Sequence, residues 1–332
     1  MKSYWMEGRE GQLHIEMRDV NQPQVGAGQL LVKIHAAGLN RGEFILGPGP
    51  HGGLPQAKAI GMEAAGEVVA VGDGVSGFTV GQRVMGRCPG GFAQFGLMSP
   101  LETMPMPKAF DWAQAAAIPV TFMVAHDMLV AQGQLKAGEW LMVNGVSSGV
   151  GTACVQLAHM LGAQTIGTSG SADKLKTLKA HGLTEGIATR QPEFYERTQD
   201  ITAGKGVNLI VNTVGGSVLA EELRCLAYQG RLAIVGYVDG CLQAPLNLDT
   251  LHAQRLRIFG VSNRHRTPAE RQTGVADFVA HYLPRFAQTG TRPLVDRVFA
   301  FDQLTLAKAY MQSDQQLGKI VLSVQCSKPF TI

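Results

Sequence analysis

The sequence has no Cys-x-x-Cys pair. Its five cysteines, Cys88, Cys154, Cys225, Cys241 and Cys326, lie far apart in a chain of 332 residues. That spacing argues against a clustered structural zinc site and a disulfide scaffold, and it suits a reducing compartment. No run of 18 or more apolar residues is present, and Met1 to Glu7 carry no apolar stretch for export. A membrane-spanning helix is therefore not expected, and a cytoplasmic location is. An excess of charge of one sign is also missing. With 29 Lys and Arg against 26 Asp and Glu, the net charge of +3 is too small to draw nucleic acid or an anionic membrane surface. Internal repeats and low-complexity stretches are absent as well. What is present is a hydrophobic share of 45%, enough for a full core, and 41 glycines, which favour tight turns and close backbone approach to a ligand. Two domains are the natural prior at this length.

The first third reads as short strands and turns. Leu30 to Ala36 alternates apolar and polar residues, Gly66 to Gly72 is β-rich and closes on the turn Gly72-Asp73-Gly74, and Val80 to Val84 starts another strand. Strands this short and frequent predict a small β-rich barrel. Near residue 111 the texture changes. Asp111 caps an Ala-rich helix, Pro119 interrupts it, and a second helical stretch runs to about Ala131.

From Trp140 onward strands and helices alternate. Trp140–Asn144 is an apolar strand, and a helix from Gly149 places Val150, Ala153, Cys154, Leu157, Ala158 and Leu161 on one face before a glycine cap at Gly162. Gln164–Thr168 and Val207–Asn212 are further clear strands, Ser171 caps the helix between them, and Arg231–Gly236 and Arg257–Val261 complete the series. This alternation predicts an α/β fold with a doubly wound parallel sheet. Beyond Ser262 the chain is mixed, and it ends in a strand at Gly318–Leu322.

The sharpest motif joins the strand ending at Asn144 to the helix starting at Gly149. In Asn144-Gly145-Val146-Ser147-Ser148-Gly149-Val150-Gly151, Gly145 permits a tight turn, Gly149 lets the backbone approach a pyrophosphate, and Gly151 allows close helix–strand packing. The spacing Gly145, Ser148, Gly151 departs from G-x-G-x-x-G, but the strand before and the helix after point to a dinucleotide. The second strand guides the choice of cofactor. It ends in Thr168-Ser169-Gly170-Ser171, with no carboxylate before Asp173, and Lys174 and Arg190 lie nearby. Small hydroxyls with cations suit the 2′-phosphate of NADPH, unless both cations are ordinary surface charges.

Four segments together resemble the medium-chain dehydrogenase/reductase superfamily. Gly61-Met62-Glu63-Ala64-Ala65-Gly66 resembles its G-H-E-x-x-G signature. Asn144–Gly151 is similar to the H-G-A-S-G-G-V-G loop of its zinc-independent quinone oxidoreductase branch, Asn212-Thr213-Val214-Gly215-Gly216 to that branch's D-x-V-G-G, and Gly318-Lys319-Ile320-Val321 to its terminal G-K-x-V. The resemblance implies a Rossmann domain at 119–262 and a GroES-like catalytic domain at 1–118, completed by 263–332. It places nicotinamide and substrate in the cleft between them, and it implies a homodimer joined through the last Rossmann strand near Phe259. The zinc branch carries a cysteine near position 40 and a histidine after the first glycine of G-H-E. Asn40 and Met62 stand there in this chain, and neither is a normal zinc ligand. Asn40 matches the asparagine of the branch pattern N-x-x-x-x-Y, whose tyrosine is replaced by Ile45.

Hydride transfer without a metal needs an acceptor that is already electron-poor, such as a quinone or an α,β-unsaturated carbonyl (enone). Asn40 either donates a hydrogen bond to a substrate or ribose oxygen, or serves as the turn residue before Arg41-Gly42. His51 either delivers a proton or sits in a Gly/Pro loop. Glu63 is expected to hold the catalytic domain together. Cofactor contacts are expected from Asn40, Thr121, Ser147, Ser148, Gly149, Val150, Gly151, Ser169, Lys174, Arg190, Asn212, Gly236, Tyr237, Ser262, Asn263, Arg264, Arg266 and Lys319. The expected activity is NADPH-dependent quinone reduction, with enone reduction as the alternative and a non-catalytic NADPH-binding protein behind both.

Overall fold

The structure, a computed structural model, describes residues 1–9, 12–44, 57–263 and 265–324. His51, Ile45 and Arg264 fall outside them. The chain forms two compact units: Met1–Val120 with Arg271–Val279 and Arg292–Ile332, and Thr121–Glu270 with Ala280–Thr291. The expected second half of the catalytic domain, 263–332, is thus divided. Residues 280–291 pack with the second unit because Phe286 lies edge-on to Phe122, with centroids 5.2 Å apart, and Arg285 Nη1 donates to Met160 O at 2.7 Å. No described helix is long and apolar enough to cross a membrane.

The first unit is built on β-sheet. A hairpin of Lys2–Arg9 and Gln12–Asp19 adds the short strand Lys58–Ala59. A seven-stranded sheet centres on Leu30–Gly38, which pairs antiparallel with Lys319–Ser323, Glu63–Val71 and Phe95–Met98. That strand is buried apart from exposed Lys33 and half-buried His35, so its apolar residues form the centre of the core with Tyr4, Val68, Phe92 and Leu322. The strand expected at Val80 begins later, at Arg83, because residues 80–82 form the turn that enters it. Asp111 caps Trp112–Ala116 as expected, and its carboxylate accepts from Gln114 N–H at 2.7 Å.

The second unit is a six-stranded parallel sheet: β1 (Trp140–Asn144), β2 (Gln164–Ser169), β3 (Glu185–Ala188), β4 (Val207–Asn212), β5 (Leu226–Ile234) and β6 (Arg257–Gly260), in the order 3-2-1-4-5-6. Helices α1 (Gly149–Leu161), α2 (Ala172–Lys179), α3 (Tyr195–Ile201) and α4 (Leu219–Cys225) connect the strands. α1 buries Ala153, Cys154, Leu157 and Ala158 and stops at Gly162, whose φ of 75° is the left-handed cap conformation. The stretch after Pro119 is helical over Thr121–His126 and continues as a π-helix over Asp127–Gln132. The strand order reverses between β1 and β4. At such a reversal the connections on either side run to opposite faces of the sheet, leaving a crevice at the carboxyl ends of those strands.

Candidate functional site

The glycine-rich turn sits at that crevice. Gly145 has a φ of +78°, and a side chain there would collide with Thr213 Oγ1. Ser148 caps α1: its Oγ accepts from Gly151 N–H at 3.0 Å and donates to Gly145 O at 2.9 Å. The capping serine therefore locks the turn onto the helix start. Ser147, Ser148, Gly149 and Val150 all remain half-buried beside the positive end of α1. This arrangement fits a pyrophosphate.

The carboxyl end of β2 lies next to it. Ser169 is buried, and its Oγ accepts from Ser171 N–H at 3.3 Å. Arg190 packs directly against Gly170, because a Cβ at Gly170 would collide with the Arg190 Nε. Lys174 lies in the first turn of α2, where its N–H donates to the capping Ser171 Oγ at 3.3 Å. Arg190 and the first turn of α2, which carries Lys174, thus both lie near the end of β2.

The remaining expected residues lie on other elements. Asn212 is buried, and its side chain is committed to its own turn: Oδ1 accepts from Val214 N–H and Gly215 N–H, and Nδ2 donates to Gly215 O. Thr121 is buried at the start of its helix. Gly236 approaches Thr213 O, Tyr237 is exposed, and Ser262 and Asn263 follow β6. Arg266 Nη2 donates to Glu270 O at 2.7 Å, which ties it to the start of the following helix.

The first unit holds a separate polar cluster, and strand register builds it. Val321 pairs with Gly38 and Ala37 with Ala64, so Lys319, Asn40 and Glu63 converge. Lys319 Nζ lies 2.6 Å from Glu63 Oε1 and donates to Asn40 Oδ1 at 2.6 Å, with both charged side chains buried. Glu63 Oε2 accepts from Val120 N–H at 2.7 Å. Asn40 Nδ2 donates to Glu63 Oε1 at 2.9 Å and to Glu43 Oε1 at 3.0 Å. An amide nitrogen has two hydrogens, and both are used. Asn40 therefore ties Glu43 to Glu63 within this cluster. Lys319 likewise joins this cluster through its ammonium, which meets both Glu63 and Asn40. Glu63 has the structural place expected of it.

Sequence reasoning missed Glu43. Burial pushes its carboxyl up to about 8, against the pull of the Asn40 amide and the Lys319 charge. The readable signal was its place three residues after Asn40, one turn along the short helix Arg41–Phe44. Glu222 was missed too. It is fully buried on α4 and accepts from both Asn144 and Asn212. Its signal was a carboxylate in the apolar stripe of Val218, Leu219 and Leu223. Among the described residues no three His, Cys, Asp or Glu side chains are grouped to hold a metal ion, and an ammonium fills the position facing Asn40. A zinc ion does not fit this donor set. Burial also pushes the Cys88 and Cys225 thiols up to about 12 and raises that of Cys154, so all three stay protonated.

Residues 149–281 match the family model of zinc-binding dehydrogenases, and residues 26–108 that of the alcohol dehydrogenase GroES-like domain. A quinone oxidoreductase of Rattus norvegicus is 29% identical over 308 residues, covering 92% of this chain and 92% of that one. A mycobacterial protein solved in complex with NADPH has a TM-score of 0.85 at 26% identity, over 97% of this chain and 99% of that one. A mycobacterial quinone oxidoreductase has a TM-score of 0.81 at 26% identity, over the same shares of the two chains. A Rossmann sheet carrying a glycine-rich turn, a GroES-like unit and these relatives agree with one another. The chain belongs to the quinone oxidoreductase branch of the medium-chain dehydrogenase/reductase superfamily, and is an NAD(P)-dependent oxidoreductase.

Proposed function

We propose that the protein is a zinc-free, NADPH-dependent reductase that delivers hydride to a quinone-type acceptor. The observation that carries this reading is the buried Lys319–Glu63 pair locked onto Asn40, where the zinc branch would need a ligand. Without a Lewis acid the acceptor must be electron-poor from the outset, which a quinone is. Bound NADPH would supply the hydride. The turn from Gly145 to Val150 and the start of α1 would hold its pyrophosphate, and Arg190, Lys174 and Ser169 its 2′-phosphate. β6 is one edge of the sheet, so a second copy of the chain can extend it there, and a homodimer forms part of this reading.

The test is turnover of NADPH against a quinone panel and an enone panel, before and after exhaustive chelation. Quinone reduction that survives the chelator is expected. One tightly bound zinc per chain, or turnover only with enones, would overturn the proposed reading, and NADPH binding without turnover would point to a non-catalytic role.

Cofactor choice has its own test. The double replacement Lys174→Ala with Arg190→Ala should raise the NADPH Michaelis constant roughly tenfold or more, since a lost charge-assisted hydrogen bond is worth about 1.5–3 kcal/mol. NADH kinetics should hardly change. An equal loss for both cofactors would remove these cations from a 2′-phosphate site.

A further inference from the structure

The crevice has a floor as well as a rim. Asn144 and Asn212, the last residues of β1 and β4, are register partners at the point where the strand order reverses. One carboxylate ties them together. Asn144 Nδ2 donates to Glu222 Oε1 at 2.7 Å, and Asn212 Nδ2 donates to Glu222 Oε2 at 2.8 Å. The oxygen of each amide is committed elsewhere. Asn144 Oδ1 accepts from Thr168 Oγ1 at 2.7 Å, and Asn212 Oδ1 accepts from Val214 N–H at 2.9 Å and Gly215 N–H at 2.8 Å. Thr168 Oγ1 in turn accepts from Gly145 N–H at 3.4 Å, and Thr213 Oγ1 donates to Asn144 O at 2.7 Å. A single side chain on α4 therefore connects the glycine-rich turn after β1, the end of β2 and the turn after β4.

We propose that Glu222 is a positioning residue for the dinucleotide, fixing the glycine-rich turn and the Asn212–Gly216 turn at the spacing that cofactor binding requires. The inference rests on the reading of this crevice as the NADPH site. Folding alone does not call for a carboxylate here. The backbone already pairs β1 with β4, and apolar residues fill the neighbouring inward positions of α4, as Leu223 does. A fully buried carboxylate whose two side-chain partners are neutral amides costs stability. Burial pushes Glu222 up to about 7, while the two amides pull it back. What the carboxylate alone supplies is a pair of acceptor oxygens facing a pair of N–H donors. Glutamine offers one acceptor and turns an NH2 toward the other amide. Asn212 cannot flip to relieve that clash, and a flip of Asn144 rearranges the bonds of Thr168. A flipped Asn212 would point its NH2 at the Val214 and Gly215 N–H groups, and a flipped Asn144 would make Thr168 Oγ1 accept where it now donates.

Glu222→Gln is therefore the discriminating variant, although it is close to isosteric. NADPH affinity is measured by direct fluorescence titration, alongside amide hydrogen exchange. The dissociation constant should rise roughly tenfold, as expected for losing one of the two charge-assisted hydrogen bonds that Glu222 accepts. Exchange should accelerate in residues 144–151 and 212–216 while the remaining strands stay protected. A folded variant that binds NADPH as wild type does, or that loses protection uniformly along the chain, overturns the proposal. If Glu222→Gln does not fold, Asn144→Ala removes one arm of the link and leaves the other, and unchanged affinity there overturns the proposal equally. Wild-type protein that fails to bind NADPH would instead overturn the reading of the crevice, so the two failures are told apart.

Discussion

Lys319→Met is expected to destabilise the GroES-like unit by about 3–5 kcal/mol, the usual cost of removing one partner from a buried ion pair. Glu63 is fully buried, and its Oε1 lies 2.6 Å from Lys319 Nζ. Methionine fills much of the lysine's volume but leaves the carboxylate with only the Val120 N–H and the Asn40 amide. The same substitution removes the hydrogen bond that Asn40 Oδ1 accepts. Strand Lys319–Ser323 pairs with Leu30–Gly38, so the loss is felt at the centre of the sheet. Chemical denaturation followed through Trp5 and Trp112, both in this unit, would measure it. Adding Glu63→Gln to Lys319→Met should recover part of the loss, because the stranded charge is then gone. A single variant within 1 kcal/mol of wild type, roughly the worth of an exposed pair, would show that the pair is not a buried anchor.

The sequence showed most of the second unit and little of the polar chemistry in either. β1 and β4 were read at their observed limits, because an apolar run bounded by a glycine turn has few other readings. Glu185–Ala188 was not singled out: it is four residues long, lies at the sheet edge and carries one buried residue, Ile187. The hairpin of Lys2–Arg9 and Gln12–Asp19 also escaped, since its stability comes from pairing rather than from a recognisable turn signal. The clusters around Glu63 and Glu222 were hidden for a different reason. Lys319 meets Asn40 across 279 positions, and Asn144 meets Glu222 across 78. Only strand register and strand order bring such residues together, and neither can be read from local composition. Asn40 and Asn212 were picked out by motif position, but their hydrogen-bond partners were not. A motif marks where a residue stands and says nothing of what its polar atoms already bind.

Gly145→Val should reduce NADPH affinity about a hundredfold or more in a variant that still folds. Two costs add at this position. A β-branched residue at a φ of +78° is strained by about 1–2 kcal/mol or more. Its Cβ would also displace Thr213 Oγ1, which donates to Asn144 O at 2.7 Å. The turn must open to relieve both, and Gly145 O and N–H would then leave Ser148 Oγ and Thr168 Oγ1. A loss of about 2.7 kcal/mol in binding corresponds to a hundredfold in the dissociation constant. The sheet should survive, because β1 ends at Asn144 and its pairing with β2 and β4 stops there. Equilibrium titration with NADPH, with circular dichroism to verify the fold, separates the two effects. Near wild-type affinity in folded Gly145→Val protein would mean that this turn does not cradle the pyrophosphate, and the dinucleotide site would have to be sought elsewhere on the sheet.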